Sequence, residues 1–385
     1  MATERAEAGI ESVDEVARVA RQWEELEPWC DATVFQSSTW VVPWLREALA
    51  RFDVRLVRAE HGGMPIGLGL LVRRRIRRRF VVVTALFVNE TGPSDIDFCV
   101  EHNGFLLRRG YEQEATRAIL RCLQQSHDWD ELHLRRCAGK GFSAGGTEGS
   151  GLRLRKPDTT VAPFVDLDRV RAAADDYLAC LSANRRSQLR RAMRLLEREG
   201  PVEVCVAQTH DEAMGFFDGL KELHQKHWQT RGEPGAFANP RWEAFHRRLI
   251  AEGLACGNVQ LLRVTAGERV VGYIHSLVRD GHVYMIQSGI NYDMDGKIHP
   301  GEVCHVMAIN WNARAGHRVY DFLGGDMRYK RSLATGMVEM DNLVLQRPRL
   351  RFLLEDVLRT LRDKALNAWA RAGEQAGGLR RGGLR

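Results

Sequence analysis

Two stretches far apart in the chain are written to one plan. From Val57 to Leu68 a strand-like run meets His61-Gly62-Gly63 and resumes with Gly67 early in its second strand; from Val264 to Tyr273 the run meets Ala266-Gly267-Glu268 and resumes with Gly272. Short glycine-bearing turns between apolar runs mark β-hairpins, because such turns accept the positive φ that matches strand twist. The surroundings repeat too. Helices precede each hairpin (Glu11–Glu27 and Trp40–Ala50; Asp211–Trp228 and Arg241–Glu252). A strand, an amphipathic helix and another strand follow it (Phe80–Val88, Tyr111–Gln125 and Glu131–Leu134; His282–Tyr292, Glu302–Ala315 and Val319–Leu323). Repetition on this scale predicts an α/β (α+β) protein made by tandem duplication of one unit with a mixed sheet in each half. Its 385 residues exceed the roughly 250–300 that a single hydrophobic core sustains.

Ala138–Gly151 holds six glycines in fourteen residues and reads as a linker or mobile loop, so the halves are expected at 1–150 and 151–373, with a disordered Gly- and Arg-rich tail at 374–385. Strands are expected at Thr160–Val165, Val202–Val206 and Glu339–Leu345. Helices are expected at Ala172–Leu181, at Arg185–Glu199 with Gly200 as its stop, and at Leu350–Ala370. Ser38 or Thr39 is the expected cap of the second helix.

A hydrophobic share of 44% and a charged share of 28% are ordinary for a folded globular chain. The longest apolar run, Phe80–Val88, is far short of the roughly 20 residues that cross a bilayer, and Met1–Gly9 lacks the pattern of a signal peptide. Eight cysteines are scattered without a C-x-x-C pair, which predicts thiols in a reducing cytoplasm and no bound metal. The net charge of +6 permits anionic partners without choosing one.

Three segments carry chemistry. The loop from Asp293 to Pro300 opens a helix at Gly301, where backbone N–H groups and the helix dipole suit a pyrophosphate, with Lys297 and His299 adding cations and Glu302 opposing; the alternative is an ordinary strand-to-helix turn. Next, Tyr320-Asp321-Phe322-Leu323-Gly324-Gly325-Asp326-Met327-Arg328-Tyr329-Lys330 places polar groups past a strand end. There Asp326 can act as base, Tyr329 as acid and Lys330 on phosphate or oxyanion; the alternative is a solvated turn capped by Asp321. Third, His224 and Trp228 share a helix face before Arg231, in a pattern that lines a pocket or fills a core. Gly141-Phe142-Ser143-Ala144-Gly145 matches G-x-S-x-G but lacks the strand–turn–helix setting of a nucleophile elbow, and no P-loop or dinucleotide fingerprint occurs. The arginine runs Arg73–Arg79 and Arg185–Arg198 read as phosphate-binding surfaces or as solvated faces.

With these residues in hand, the chain resembles the CelD-like acetyltransferases of the GNAT superfamily, first noted in cellulose and exopolysaccharide gene clusters, and more distantly the Fem aminoacyltransferases. The resemblance rests on Phe35-Gln36-Ser37-Ser38-Thr39-Trp40 with Trp44, on Arg185–Gly200, on His224–Phe237 and most on Asp321–Asp326 with Tyr329-Lys330. It implies two GNAT-like units and acyl transfer from acetyl-CoA or another acyl-CoA to an amine of a small molecule or amino sugar, with a place in exopolysaccharide synthesis. Asp326, Tyr329 and Lys330 would be catalytic. Pantetheine would lie along Met285, Ile286, Gln287 and Ser288, and pyrophosphate at Lys297, Pro300, Gly301, Glu302 and Val303. His224, Trp228, Arg231 and Asp321 would meet the acceptor. Only Gly296 and Gly301 remain of the usual glycine-rich phosphate loop. Nucleic acid is not expected in this reading; tRNA enters in the alternative, a Fem-like aminoacyl-tRNA donor, and a third reading is a non-catalytic scaffold.

Overall fold

A computed structural model of the chain describes residues 5–78, 81–93, 98, 100–137, 151–294, 297–358, 360 and 362. The first half runs β1 (Glu7–Ser12), α1 (Val16–Leu26), α2 (Ser38–Leu49), β2 (Asp53–His61), β3 (Met64–Arg77), β4 (Val82–Val88), β5 (Leu106–Leu107), α3 (Glu112–Gln125) and β6 (Glu131–Cys137). The second runs β7 (Arg153–Asp166), α4 (Leu167–Ala172), α5 (Ala183–Leu196), β8 (Val202–Val206), α6 (His210–Gln229), α7 (Pro240–Gly253), β9 (Val259–Ala266) and β10 (Arg269–Arg279). It ends with β11 (His282–Ile290), α8 (Pro300–Arg314), β12 (Val319–Asp321), α9 (Arg328–Leu333) and β13 (Gly336–Gln346).

The duplication is visible in the order. Apart from the two-residue β5 that follows β4, a strand, two helices, a hairpin, a strand, a helix and a strand recur as β1-α1-α2-β2-β3-β4-α3-β6 and as β8-α6-α7-β9-β10-β11-α8-β12. Each hairpin turns on glycines with positive φ, Gly62 and Gly63 in the first and Gly267 in the second. Each unit also pairs its last two strands in parallel, β4 with β6 and β11 with β12, across the intervening helix.

The halves then exchange an element. Among the described residues one sheet runs β1-β2-β3-β4-β6-β13-β7-β12-β11-β10-β9-β8. β7, which follows β6 in sequence, closes the second unit against β12, whereas β13, which follows β12, closes the first unit against β6. The two exchanged strands pair with each other from Gly336↔Phe164 to Gln346↔Arg153. Packing follows the exchange: Leu343 and Leu345 of β13 join the first unit's core with Ile119, Trp129 and Leu132, while Val165 of β7 joins the second unit's core with Ile309 and Tyr320. A third core, around Trp23, Trp40, Phe217 and Phe245, is built from α1, α2, α6 and α7 and belongs to both units. Leu345→Ala is therefore expected to destabilise the first unit by about 2–5 kcal/mol, the range for a buried leucine, although it lies at the far end of the chain; an unchanged urea midpoint would contradict the exchange.

The 150/151 boundary falls between β6 and β7, and β13 crosses it in space. Residues 138–150, Gly296 and the tail at 374–385 lie outside the described residues, as does most of the expected helix beyond 358. Several expectations are corrected. Glu11 and Ser12 belong to an edge strand, and α1 starts at Val16, because β1 pairs with β2 and is too exposed to show alternation. The cap position of α2 is Ser37, whose Oγ donates to the Val34 carbonyl instead of capping, and Glu27 takes the Ser38 N–H. Ala172–Leu181 is no continuous helix: α4 ends at Ala172 and a 3-10 turn follows at Tyr177–Cys180. The first arginine run lies largely inside β3 and is tied down, Arg73 by Asp128, Arg74 by the Thr91 carbonyl and Arg78 by Glu131.

Candidate active site

The cavity lies where two parallel strands part. β11 and β12 stay paired from His282↔Val319 to Tyr284↔Asp321, after which β12 ends and β11 continues to Ile290. β11 bulges there, its register with β10 stepping from Gln287 to Met285 across His275/Ser276. The opening becomes a cavity of about 650 Å³, walled by Met285–Ser288 on one side and Phe322, Leu323 and Gly324 on the other. His305, Gly301 and Glu302 of α8 line it, with His224, His227, Trp228 and Arg231 from the end of α6 and Tyr329 and Lys330 from α9. Phe35, Phe98 and Glu101 reach in from the first unit. In the first unit the matching place past β4 and β6 is bridged by Glu90 and Arg135, at 2.7 Å from Nε.

Glu101 was not singled out from sequence. Its carboxylate accepts the Gly324 N–H. Burial raises its pKa above the ordinary carboxylate value, against the pull of that bond and of Arg136, Lys330 and His102. A buried carboxyl with a raised pKa on a cavity wall has the character of a general base. Gly324 is needed beside it, since a Cβ there would stand 2.9 Å from Glu101 Oε1. Gly324→Ala is expected to turn the carboxylate aside and lower turnover by about tenfold to a hundredfold, the cost of roughly an ångström of misplacement; near-normal turnover would detach Glu101 from the reaction.

Lys330 is committed elsewhere. Its ammonium donates to the carbonyls of Phe322, Leu323 and Gly324 at 2.8, 3.2 and 2.8 Å, so its three N–H groups hold the loop that carries the Gly324 N–H. Below the loop, Asp321 lies 2.9 Å from His102 Nε2 and 3.1 Å from His282 Nε2, and takes the Leu323 N–H at 2.7 Å. Although burial opposes charge, these partners hold Asp321 ionised well below the usual range. It does not line this cavity. Asp326 is likewise off the wall: exposed, it pairs with Arg331, which lowers its pKa and leaves it a poor base.

Tyr329 does line the cavity, and burial raises its phenol to about 12. His305 stacks beside it at 5.8 Å and is kept neutral by burial, with its pKa near 3. His224 is pinned as one tautomer: Nε2 accepts the Ala236 N–H at 3.2 Å, which leaves Nδ1–H for the Ser288 carbonyl at 3.3 Å. Close approach of α6 to β11 requires Gly289, where a Cβ would stand 2.2 Å from the Leu220 carbonyl oxygen. His224 thus shapes the wall and fixes the turn after α6.

The start of α8 is crowded for a phosphate. Pro300 has no N–H, and the Glu302 and Val303 amides bond to the His299 carbonyl at 3.0 and 3.2 Å. Arg185 of α5 pairs with Glu302 and offsets its charge, while Gln188 meets His299 at 3.1 Å. Val303 and Pro300 are buried, and Lys297 is not on the cavity wall.

Residues 183–331, the stretch that contains this cleft and most of its walls, match the family model for an acetyltransferase (GNAT) domain. The architecture agrees: the chain folds as two GNAT-like units in tandem, with one large mixed sheet. Solved structures share that fold at low identity. FemX aligns with a TM-score of 0.56 and 10% identity over 86% of this chain and 96% of its own. L-PGS from Bacillus licheniformis gives 0.52 and 12% over 86% and 92%. The C-terminal domain of a putative lysylphosphatidylglycerol synthetase from Agrobacterium fabrum gives 0.51 and 10% over 89% and 96%. No curated protein matches the chain in sequence. No helix among the described residues is long and apolar enough to cross a membrane.

Proposed function

We propose that the chain transfers an acyl group from acetyl-CoA or another acyl-CoA to the amine of a small molecule, with the reaction in the cavity between β11 and β12. The observation that carries this is the meeting of Glu101 and Tyr329 on one cavity, the first with a raised carboxyl and the second a buried phenol. The amine nitrogen attacks the thioester carbonyl, Glu101 takes its proton, the carbon–sulfur bond breaks, and Tyr329 protonates the departing thiolate. No covalent intermediate on the protein is needed, and alignment in the cleft supplies much of the rate. Lys330, Asp321 and His224 are positioning residues. An amino-sugar acceptor and a place in exopolysaccharide synthesis rest on the CelD resemblance, and the cytoplasm is where acyl-CoA and such acceptors meet.

A second reading has its own observation. Among the described residues the first turn of α8 leaves Gly301 as its uncommitted amide, and α5, whose Arg185 and Gln188 meet Glu302 and His299 at that helix start, also carries Arg186, Arg191 and Arg194. That arrangement favours the aminoacyl-tRNA donor that the Fem resemblance implies, and one structural neighbour is by name a putative lysylphosphatidylglycerol synthetase. Calorimetric titration separates the two. Under the first reading the protein binds acetyl-CoA, and Gly301→Asp, whose Cβ would make ordinary contacts with Tyr292 Oη at 3.4 Å and with Ile290 at 3.6 and 3.8 Å, abolishes that binding. Absence of CoA binding with tight, steeply salt-dependent binding of aminoacyl-tRNA selects the second.

A further inference from the structure

We propose that the C-terminal helical segment at 350–358 lays its outer face on an anionic membrane surface. Its inner face is packed: Phe352 is buried, Glu355 lies 3.5 Å from Arg78, and Arg351 pairs with Asp130. The outer face is apolar and open. Leu350, Leu353, Leu354, Val357 and Leu358 are 79%, 58%, 63%, 56% and 44% exposed, half of the large hydrophobic side chains that the described residues expose. An uncovered face of this kind on a surface helix marks a contact.

Charge identifies the occupant. Residues 359–385 carry seven basic side chains against two acidic ones, Asp363 and Glu374, and so hold nearly all of the chain's net +6. In sequence, Leu361, Ala365 and Trp369 continue the four-residue spacing begun by Leu353 and Val357. A second copy would meet the leucines but bring two basic segments together. A nucleic acid would take the arginines and leave the leucines in water. A bilayer with anionic headgroups takes both, with the apolar face in the acyl boundary and the basic chain among the headgroups.

Vesicle sedimentation with the full chain tests this. Vesicles of phosphatidylcholine with phosphatidylglycerol should carry the protein down, phosphatidylcholine alone should not, and added salt should weaken binding. Leu353→Glu with Val357→Glu should lower binding roughly tenfold or more. Both positions are exposed, so far-UV circular dichroism should be unchanged. No binding to the mixed vesicles, or equal binding by the double variant, overturns the proposal. So does a dimer in light scattering that the double variant dissolves, because the face then belongs to a second copy.

Discussion

Glu101→Gln is expected to lower kcat by about 10²- to 10⁴-fold, the usual worth of a positioned general base, while donor binding and folding hold. Glutamine keeps the shape and can still accept the Gly324 N–H, so the variant removes the charge that takes the proton and little else. The sign of the pH dependence follows from the raised carboxyl. The base works when ionised, so kcat/KM in the parent should rise with pH through an inflection above the ordinary carboxylate range, and that inflection should vanish in the variant. Parallel measurement of Asp326→Asn makes the comparison sharp: Asp326 is exposed and paired with Arg331, so its variant should retain most activity. The reverse pattern, Asp326 essential and Glu101 dispensable, would place the reaction outside this cavity.

The second large effect is acid sensitivity of the fold. His246, His275 and His305 are all buried, and burial drives their pKa values down, to about 3 for His275 and His305. His246 and His275 face each other at 3.2 Å, and His246 Nε2 has no recorded partner. These histidines are neutral when folded, but once unfolded they bind protons below about 6.5. The stability is therefore complete above that pH and is lost as pH falls from 6.5 towards 3. Three such groups give a slope of about 4 kcal/mol per pH unit at roughly 1.36 each, against a total stability of about 5–15 kcal/mol. His102 works the other way, since burial lowers its pKa but the bond to Asp321 and the nearby carboxylates more than offset that and raise it, yet it is one group against these three. Urea midpoints should fall steeply between pH 6.5 and 5; a flat profile there would mean the three rings are protonated in place.

Much of the fold was legible because it is written locally. The hairpins and α6 with its Thr209/Glu212 capping box follow from periodicity and turn chemistry within a few residues, whereas α8, expected to be amphipathic, is buried on nearly every side and carries no single apolar stripe. The repeat even held the signal for β1: the second copy opens with β8 before its helices, and the first copy should too. Of the expected site residues, Met285–Ser288, His224, Trp228, Arg231, Gly301, Glu302, Tyr329 and Lys330 converge on one cavity. What failed was long-range. Glu101 reaches Gly324 across 223 positions, and nothing near it in sequence marks it as a base. Asp326 looked like one because it follows two glycines at a strand end, yet the turn carries it outward to Arg331.

The strand exchange has a consequence for synthesis on the ribosome. The edge of β6 stays open until β13 emerges, since Gln346 must return to Glu131 across 215 residues. At about 5–20 residues per second that is a wait of roughly 10–40 s. During it an unpaired edge and the half-built core around Ile119 and Trp129 are offered to any strand or chaperone nearby. The first half of this chain therefore cannot mature ahead of the second, and a truncated product lacking β13 should be a client of quality control and not a small working enzyme.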